Sequence, residues 1–184
     1  MSELSSREAI VSAARRLFAE RGFRSVTIRD VAAEAGLSPA MVMKSVGSKE
    51  QLFAEAASFH PEPFPMDVPR EDLGRELVRR VVARRDAGAA EPLARAIVLA
   101  LPAPDPAAVK RRFVAAYVEP LTALLGGDEP ARTRAELVVC ALLGLANGTR
   151  LYGFVPGERV PPEELVERYG ALVQSLIETP PGRG

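Results

Sequence analysis

Arg29, Lys44 and Lys49 are the side chains of this sequence best placed to do chemistry, and it is the chemistry of a cation meeting a phosphate oxygen. Other chemistries find no complete set of groups. The 184 residues contain one histidine, His60, in a proline-rich stretch, and one cysteine, Cys140, in the apolar run Leu137-Val138-Val139-Cys140-Ala141-Leu142. With one histidine and one cysteine, no zinc site is expected. No nucleophile sits beside a base, and no glycine-rich phosphate loop is present. The sequence therefore calls for no enzyme activity, no metal and no cofactor. Cys140 cannot make an intrachain disulfide and reads as a small buried apolar residue.

The charge balance limits the cationic reading. Lys and Arg number 24 against 24 Asp and Glu, and within residues 1–58 the count is 8 against 7, a balance of +1. A local basic stripe is thus expected rather than a basic domain. Few phosphate contacts per subunit and a modest dependence on salt follow.

The elements that must carry these side chains have clean start and stop signals. Ser5-Ser6-Arg7-Glu8 forms a capping box. The helix it opens has Ile10, Ala13, Ala14, Leu17 and Phe18 on one face and is expected to stop at Gly22. Thr27 caps the next helix, with Val26 packing on Val31 as a hydrophobic staple; Ile28, Val31, Ala32 and Ala35 form its inner stripe, and Gly36 ends it. Ser38-Pro39 starts a third helix at once, Ser as cap and Pro at the first helical position. Two helices joined by Gly36-Leu37 must cross steeply, the geometry that pushes the second into a major groove. Ser48-Lys49-Glu50-Gln51 is a further capping box, opening a fourth helix with Leu52, Phe53, Ala56 and Ala57.

This stretch resembles the DNA-binding domain of the TetR family of bacterial transcription regulators. The resemblance is carried by Ala14-Arg15-Arg16-Leu17-Phe18-Ala19-Glu20-Arg21-Gly22-Phe23, Thr27-Ile28-Arg29-Asp30-Val31-Ala32, Gly36-Leu37-Ser38-Pro39 and Gly47-Ser48-Lys49-Glu50-Gln51-Leu52. It implies that the helix from Ser38 to Ser45 is the recognition helix, with Pro39, Ala40 and Met41 facing base edges. Such apolar or small side chains would read thymine methyls and shape, with few bidentate hydrogen bonds. Lys44 would reach a phosphate or a guanine, Arg29 a phosphate or a base, and Thr27 and Lys49 phosphates. The chain departs from the family pattern at Met43-Lys44-Ser45-Val46. Relatives usually have Tyr, a basic residue, then His, Tyr or Phe, so two phosphate donors are replaced by Met43, which cannot donate, and Ser45, which donates one short bond. Weaker or differently specified binding follows. Val46 is expected to pack on Phe18 and Phe53.

The rest of the chain reads helical. Four prolines within residues 60–69 make a stiff segment, which divides the chain into a helix-turn-helix head (1–59), a linker (60–69) and a helical effector-binding and dimerisation body (70–184). Helices are expected at about residues 70–85, 91–101, 105–125, 130–153 and 161–178, with a kink or break near Val118-Glu119 caused by Pro120. The class is all-α. Leu137 to Ala146 is apolar nearly all round, and the last helix has a wide stripe of Leu165, Val166, Tyr169, Leu172, Val173, Leu176 and Ile177. Both point to a homodimer joined through these two helices, with Leu142, Leu145, Leu165, Tyr169, Leu172 and Leu176 at the interface, and the resemblance implies the same. It further implies a ligand cavity, for which Phe113, Tyr117, Asn147 and Tyr152, with Phe154 nearby, offer aromatic surface and polar handles. Arg111 and Arg112 read as a solvated face. No signal segment or apolar run long enough to span a membrane is present, so a cytoplasmic location with no membrane partner is expected. The favoured reading is a repressor bound to a palindromic duplex operator and released by an unidentified small molecule. The alternative is a ligand-binding or interaction dimer whose head has lost specific DNA binding.

Overall fold

The structure, a computed structural model, describes residues 3–56, 65, 67–89, 91–94, 96 and 103–178. Among these residues every regular element is helical. They group into two compact units, one drawn from residues 1–59 and 95–112, the other from 60–94 and 113–184. His60 and residues 61–64 and 66 of the proline-rich segment lie outside the described residues, as does most of the helix expected at 91–101.

The first unit contains α1 (Glu3–Ser25), α2 (Ile28–Ala35), α3 (Pro39–Val46), α4 (Lys49–Ala56) and most of α6 (Pro106–Phe113). Helix α1 begins at Glu3, so Ser5 sits inside its first turn and not at its cap, a correction to the expected capping box. The helix that begins at Glu3 breaks at Gly22, which leaves helical geometry at φ 74°, ψ 166°, and a short helical stretch beyond this kink reaches Ser25. Phe18, Phe23 and Phe53 meet edge to face or tilted, with ring centroids 5.1 to 6.0 Å apart. Around them Ile10, Leu17, Val26, Val31, Val42, Val46 and Leu52 are buried, as the apolar spacing requires. Val109 of α6 is buried in the same cluster, past the boundary drawn from the prolines.

The second unit contains a short 3-10 turn (Arg70–Asp72), α5 (Leu73–Asp86), a π-turn (Val114–Val118), α7 (Glu119–Leu124), α8 (Glu129–Leu151) and α9 (Pro162–Glu178). Helices α5 and α9 pack with almost no gap. A Cβ on Gly74 would lie 2.5 Å from the Gln174 nitrogen, and one on Gly170 would lie 2.8 Å from Arg75 Cα. Gln174 closes this seam by accepting from the Gly74 N–H at 2.8 Å and donating to the Arg70 carbonyl at 3.0 Å. The break expected at Pro120 takes the form of the π-turn. Proline has no N–H to offer the Ala116 carbonyl four residues back, and the turn that precedes it is wide, the Glu119 N–H bonding the Val114 carbonyl five residues back.

One expectation about α8 needs correction. Cys140 is exposed within its own chain, not buried. Helix α8 is covered on one side only: Leu137 and Gly144 also face outward, while Val138, Val139, Leu142, Leu145 and Ala146 are buried.

Candidate nucleic-acid interface

Local hydrogen bonding builds the interface from α2 and α3. The Thr27 hydroxyl accepts from the Asp30 N–H at 3.1 Å, and the Asp30 carboxylate accepts from both the Thr27 N–H and its hydroxyl at 2.7 Å. This is a complete capping box, and the bonds from the Thr27 side chain and backbone hold the Asp30 carboxyl below its ordinary range. The signal was there in Thr27-Ile28-Arg29-Asp30, although the reciprocal partner was Asp rather than the commoner Glu. Helix α2 ends at Gly36, whose φ of 67° is the left-handed cap a glycine takes without strain. Only two residues later Ser38 caps α3, its hydroxyl accepting from the Met41 N–H at 3.2 Å, with Pro39 at the first helical position.

Helix α3 then presents one face inward and one outward. Val42 and Val46 are buried in the head's core. Pro39, Ala40, Met41, Met43 and Lys44 face solvent, Met41 with 52% and Met43 with 41% of their surface exposed, and Ser45 is half-buried. Thr27 and Arg29 are exposed on α2. Lys49 starts α4, which is capped by Ser48 accepting from the Gln51 N–H at 3.0 Å. Its ammonium lies 4.3 Å from the centre of the Phe23 ring, a cation–π contact that orients it. The structure thus brings the ten residues expected to meet DNA onto α2, α3 and the start of α4.

The ligand candidates do not converge in the same way. Phe113 and Tyr117 touch, with centroids 4.8 Å apart, and Tyr117 is buried. Burial, and then the nearby Glu91 carboxylate, push the Tyr117 hydroxyl up to about 12. Asn147 is buried in α8, donating to the Leu143 carbonyl at 2.8 Å, while its Oδ1 has no partner among the described residues. Tyr152 instead stands 70% exposed and stacks on Phe154 at 5.4 Å. Arg111 is solvated, as expected, and Arg112 donates to the Ala54 carbonyl of α4. Sequence reasoning missed the ion pair of the half-buried Arg84 with the buried Glu91 at 2.8 Å, which has no motif to announce it. Of the residues expected to meet a second copy, Leu142, Leu145 and Leu165 are buried in their own chain, Tyr169 and Leu176 are half-buried, and Leu172 is exposed. No helix among the described residues is long and apolar enough to cross a membrane.

Comparison with known proteins agrees with this geometry. Residues 10–56 match the family model described as bacterial regulatory proteins, tetR family, and residues 71–177 match the one described as tetracyclin repressor-like, C-terminal domain. No curated protein gave a match. Among solved structures, a TetR-family regulator of Streptomyces coelicolor A3 is similar, at 26% identity and a TM-score of 0.59, covering 97% of this chain and 98% of that one. The fold is shared with NalD, the secondary repressor of the MexAB-OprM multidrug efflux pump in Pseudomonas aeruginosa, at 20% identity and a TM-score of 0.61 over 89% and 93% of the two chains. It is shared too with the multidrug binding protein EbrR in complex with ethidium, at 23% identity and a TM-score of 0.65 over 95% and 99%.

Proposed function

The chain belongs to the TetR family of bacterial regulatory proteins and is a DNA-binding transcriptional regulator, and on that premise we propose that it works as a homodimeric repressor released from a palindromic operator by a small molecule. The observation that carries this reading is the outward face of α3. Val42 and Val46 hold the helix to the head, and Pro39, Ala40 and Met41 are left free to enter a major groove. Lys44, Ser45, Thr27, Arg29 and Lys49 flank them as phosphate contacts, which set register while the apolar tip reads thymine methyls. Two heads on one dimer meet two half-sites, so the operator is palindromic. A ligand with higher affinity for another spacing of the heads lowers DNA affinity by linkage. A repressor of an efflux pump and a multidrug-binding protein crystallised with ethidium share the fold, which supports repression and an aromatic effector. The body, from residue 70 onward, is the effector-binding and dimerisation part, with Phe113, Tyr117 and Asn147 at the ligand. The protein acts in the cytoplasm, where its operator lies.

Selection of duplexes by the full chain from a random pool at low salt tests the reading. A palindrome with half-sites about one helical turn apart is expected, and ethidium, as a first probe, should bind the protein in the absence of DNA, measured by its fluorescence. The second reading, a dimer whose head has lost specific binding, is favoured by Met43, which stands at a position where relatives donate to phosphate. Recovery of unrelated duplexes only would select it.

A further inference from the structure

We propose that Arg7 is a positioning residue of the DNA-binding head, one that fixes the end of α3 for docking by clamping it to α4. The proposal rests on the reading of α3 as the recognition helix. The Arg7 guanidinium extends from α1 and makes three bonds at once. Its Nη1 donates to the Ser45 carbonyl of α3 at 2.5 Å, while Nε and Nη2 donate to the two carboxylate oxygens of Glu55 on α4 at 3.2 and 2.8 Å. One side chain therefore joins three helices.

The need for such a clamp follows from α3 itself. It has eight residues, too few to be stable alone, and Val42 and Val46 are its only buried members. Its last four carbonyls lack partners inside the helix. The Gly47 N–H takes that of Met43, the Ser48 N–H takes that of Val46, and Arg7 takes that of Ser45. A cation there also opposes the negative end of the helix dipole. Toward α1 the packing is not solid: Ser6, Arg7, Ile10, Leu37, Met41, Lys44 and Ser45 line an open cleft of about 470 Å³. Arg7 bridges that cleft. Lys44 and Ser45, the phosphate candidates of α3, sit at the end it holds. The rigid fork of an arginine meets both carboxylate oxygens and a carbonyl from three nitrogens in one fixed geometry, which the three donors of a lysine, all on one nitrogen, do not reproduce. Both partners are substantially exposed, Arg7 by 47% and Glu55 by 38%, so their pairing adds little to global stability. Its effect is orientation.

Three single variants of the full-length protein separate this role from direct phosphate contact: Arg7→Ala, Arg7→Lys and Glu55→Gln. Each is expected to raise the dissociation constant for the selected operator roughly tenfold, since two subunits lose their clamp, with the salt slope unchanged. Melting temperature should barely move. Amide exchange in the last turn of α3 should quicken in all three, measured without DNA. Arg7→Lys binding like the parent, with Arg7→Ala lowering the salt slope by about one per subunit, would overturn the proposal in favour of a phosphate contact. So would tighter binding by Glu55→Gln, which would mean that the pair restrains a cation otherwise free for DNA. Unchanged amide exchange would overturn it whatever the DNA result. A parent protein that selects no duplex would instead sink the DNA reading and the docking role with it, while quickened exchange would still uphold the clamp.

Discussion

Lys49 lies over the face of Phe23, so its ammonium is held near one position before any DNA arrives. Beside it is the N-terminal end of α4, where the helix dipole favours an anion. Replacing it with alanine should weaken specific and non-specific duplexes alike and reduce the slope of log affinity against log salt by about one per subunit. Titrations at three or more salt concentrations check this, and loss confined to one sequence would contradict it. Met43 offers the opposite experiment. It faces solvent and can donate nothing, so Met43→Tyr adds a hydroxyl on a rigid ring where a phosphate is expected. A hydrogen bond to a charged group contributes about 1–2 kcal/mol, or roughly five- to thirtyfold in affinity per subunit. Operator preference should not change, because phosphate contacts do not read sequence. Tyr117 allows a prediction without DNA. Its hydroxyl is raised from the ordinary value near 10 to about 12 by burial, so the folded chain holds this proton more tightly than the unfolded chain does. The resulting stability is full below pH 10 and is lost as pH rises through 12. Urea melts across that window should show a smaller loss in Tyr117→Phe than in the parent.

Elements in this chain obey local signals where those signals act within four residues. Thr27, Gly36, Ser38 and Ser48 begin or end their helices where the sequence places them, because each cap bonds to a backbone group three or four positions away. Ser5 misled for a related reason: a capping box is weak beside the propagation of an already formed helix, and α1 runs on to Glu3. What spans a long stretch of chain was not legible. Arg7 and Glu55 stand 48 positions apart, and nothing in Ser6-Arg7-Glu8 tells which carboxylate the guanidinium will meet. Nor did the spacing of apolar residues reveal the close seam of α5 and α9, since a glycine inside a helix is ordinarily a defect. Gly74 and Gly170 are there because neither facing backbone leaves room for a methyl group. Gly170→Ala should therefore destabilise the chain, by about 1–3 kcal/mol as overpacking does, despite the better helix propensity of alanine. Chemical unfolding would show it, and a gain in stability would mean that the seam is loose in solution.

Across the whole molecule the apolar pattern revealed that α8 and α9 needed covering but not by whom. Their own chain covers Leu142, Leu145 and Leu165, leaving 6% or less of each exposed. The face left open is a different one, with Leu137 and Leu172 each 49% exposed and Cys140 and Gly144 beside Leu137 on α8. Tyr169 bridges the two helices there, its hydroxyl donating to the Ala141 carbonyl at 3.0 Å. A second copy laid on this face would bury Leu137 and Leu172 with no rearrangement of the chain's own core, and two-fold symmetry would bring each residue in twice. Asp at Leu137 and Leu172 together should therefore give folded monomers. The charges stay hydrated in the single chain, but in a dimer they would be buried without partners at a cost of several kcal/mol. Asp at Leu142 should behave otherwise, unfolding the body, because that charge has no solvated position in either state. Sedimentation and circular dichroism distinguish the outcomes. A double variant still dimeric at micromolar concentration would place the interface elsewhere. If it is monomeric and folded, its operator affinity should fall to that of a single head on a half-site, since one recognition helix cannot reach two successive major grooves.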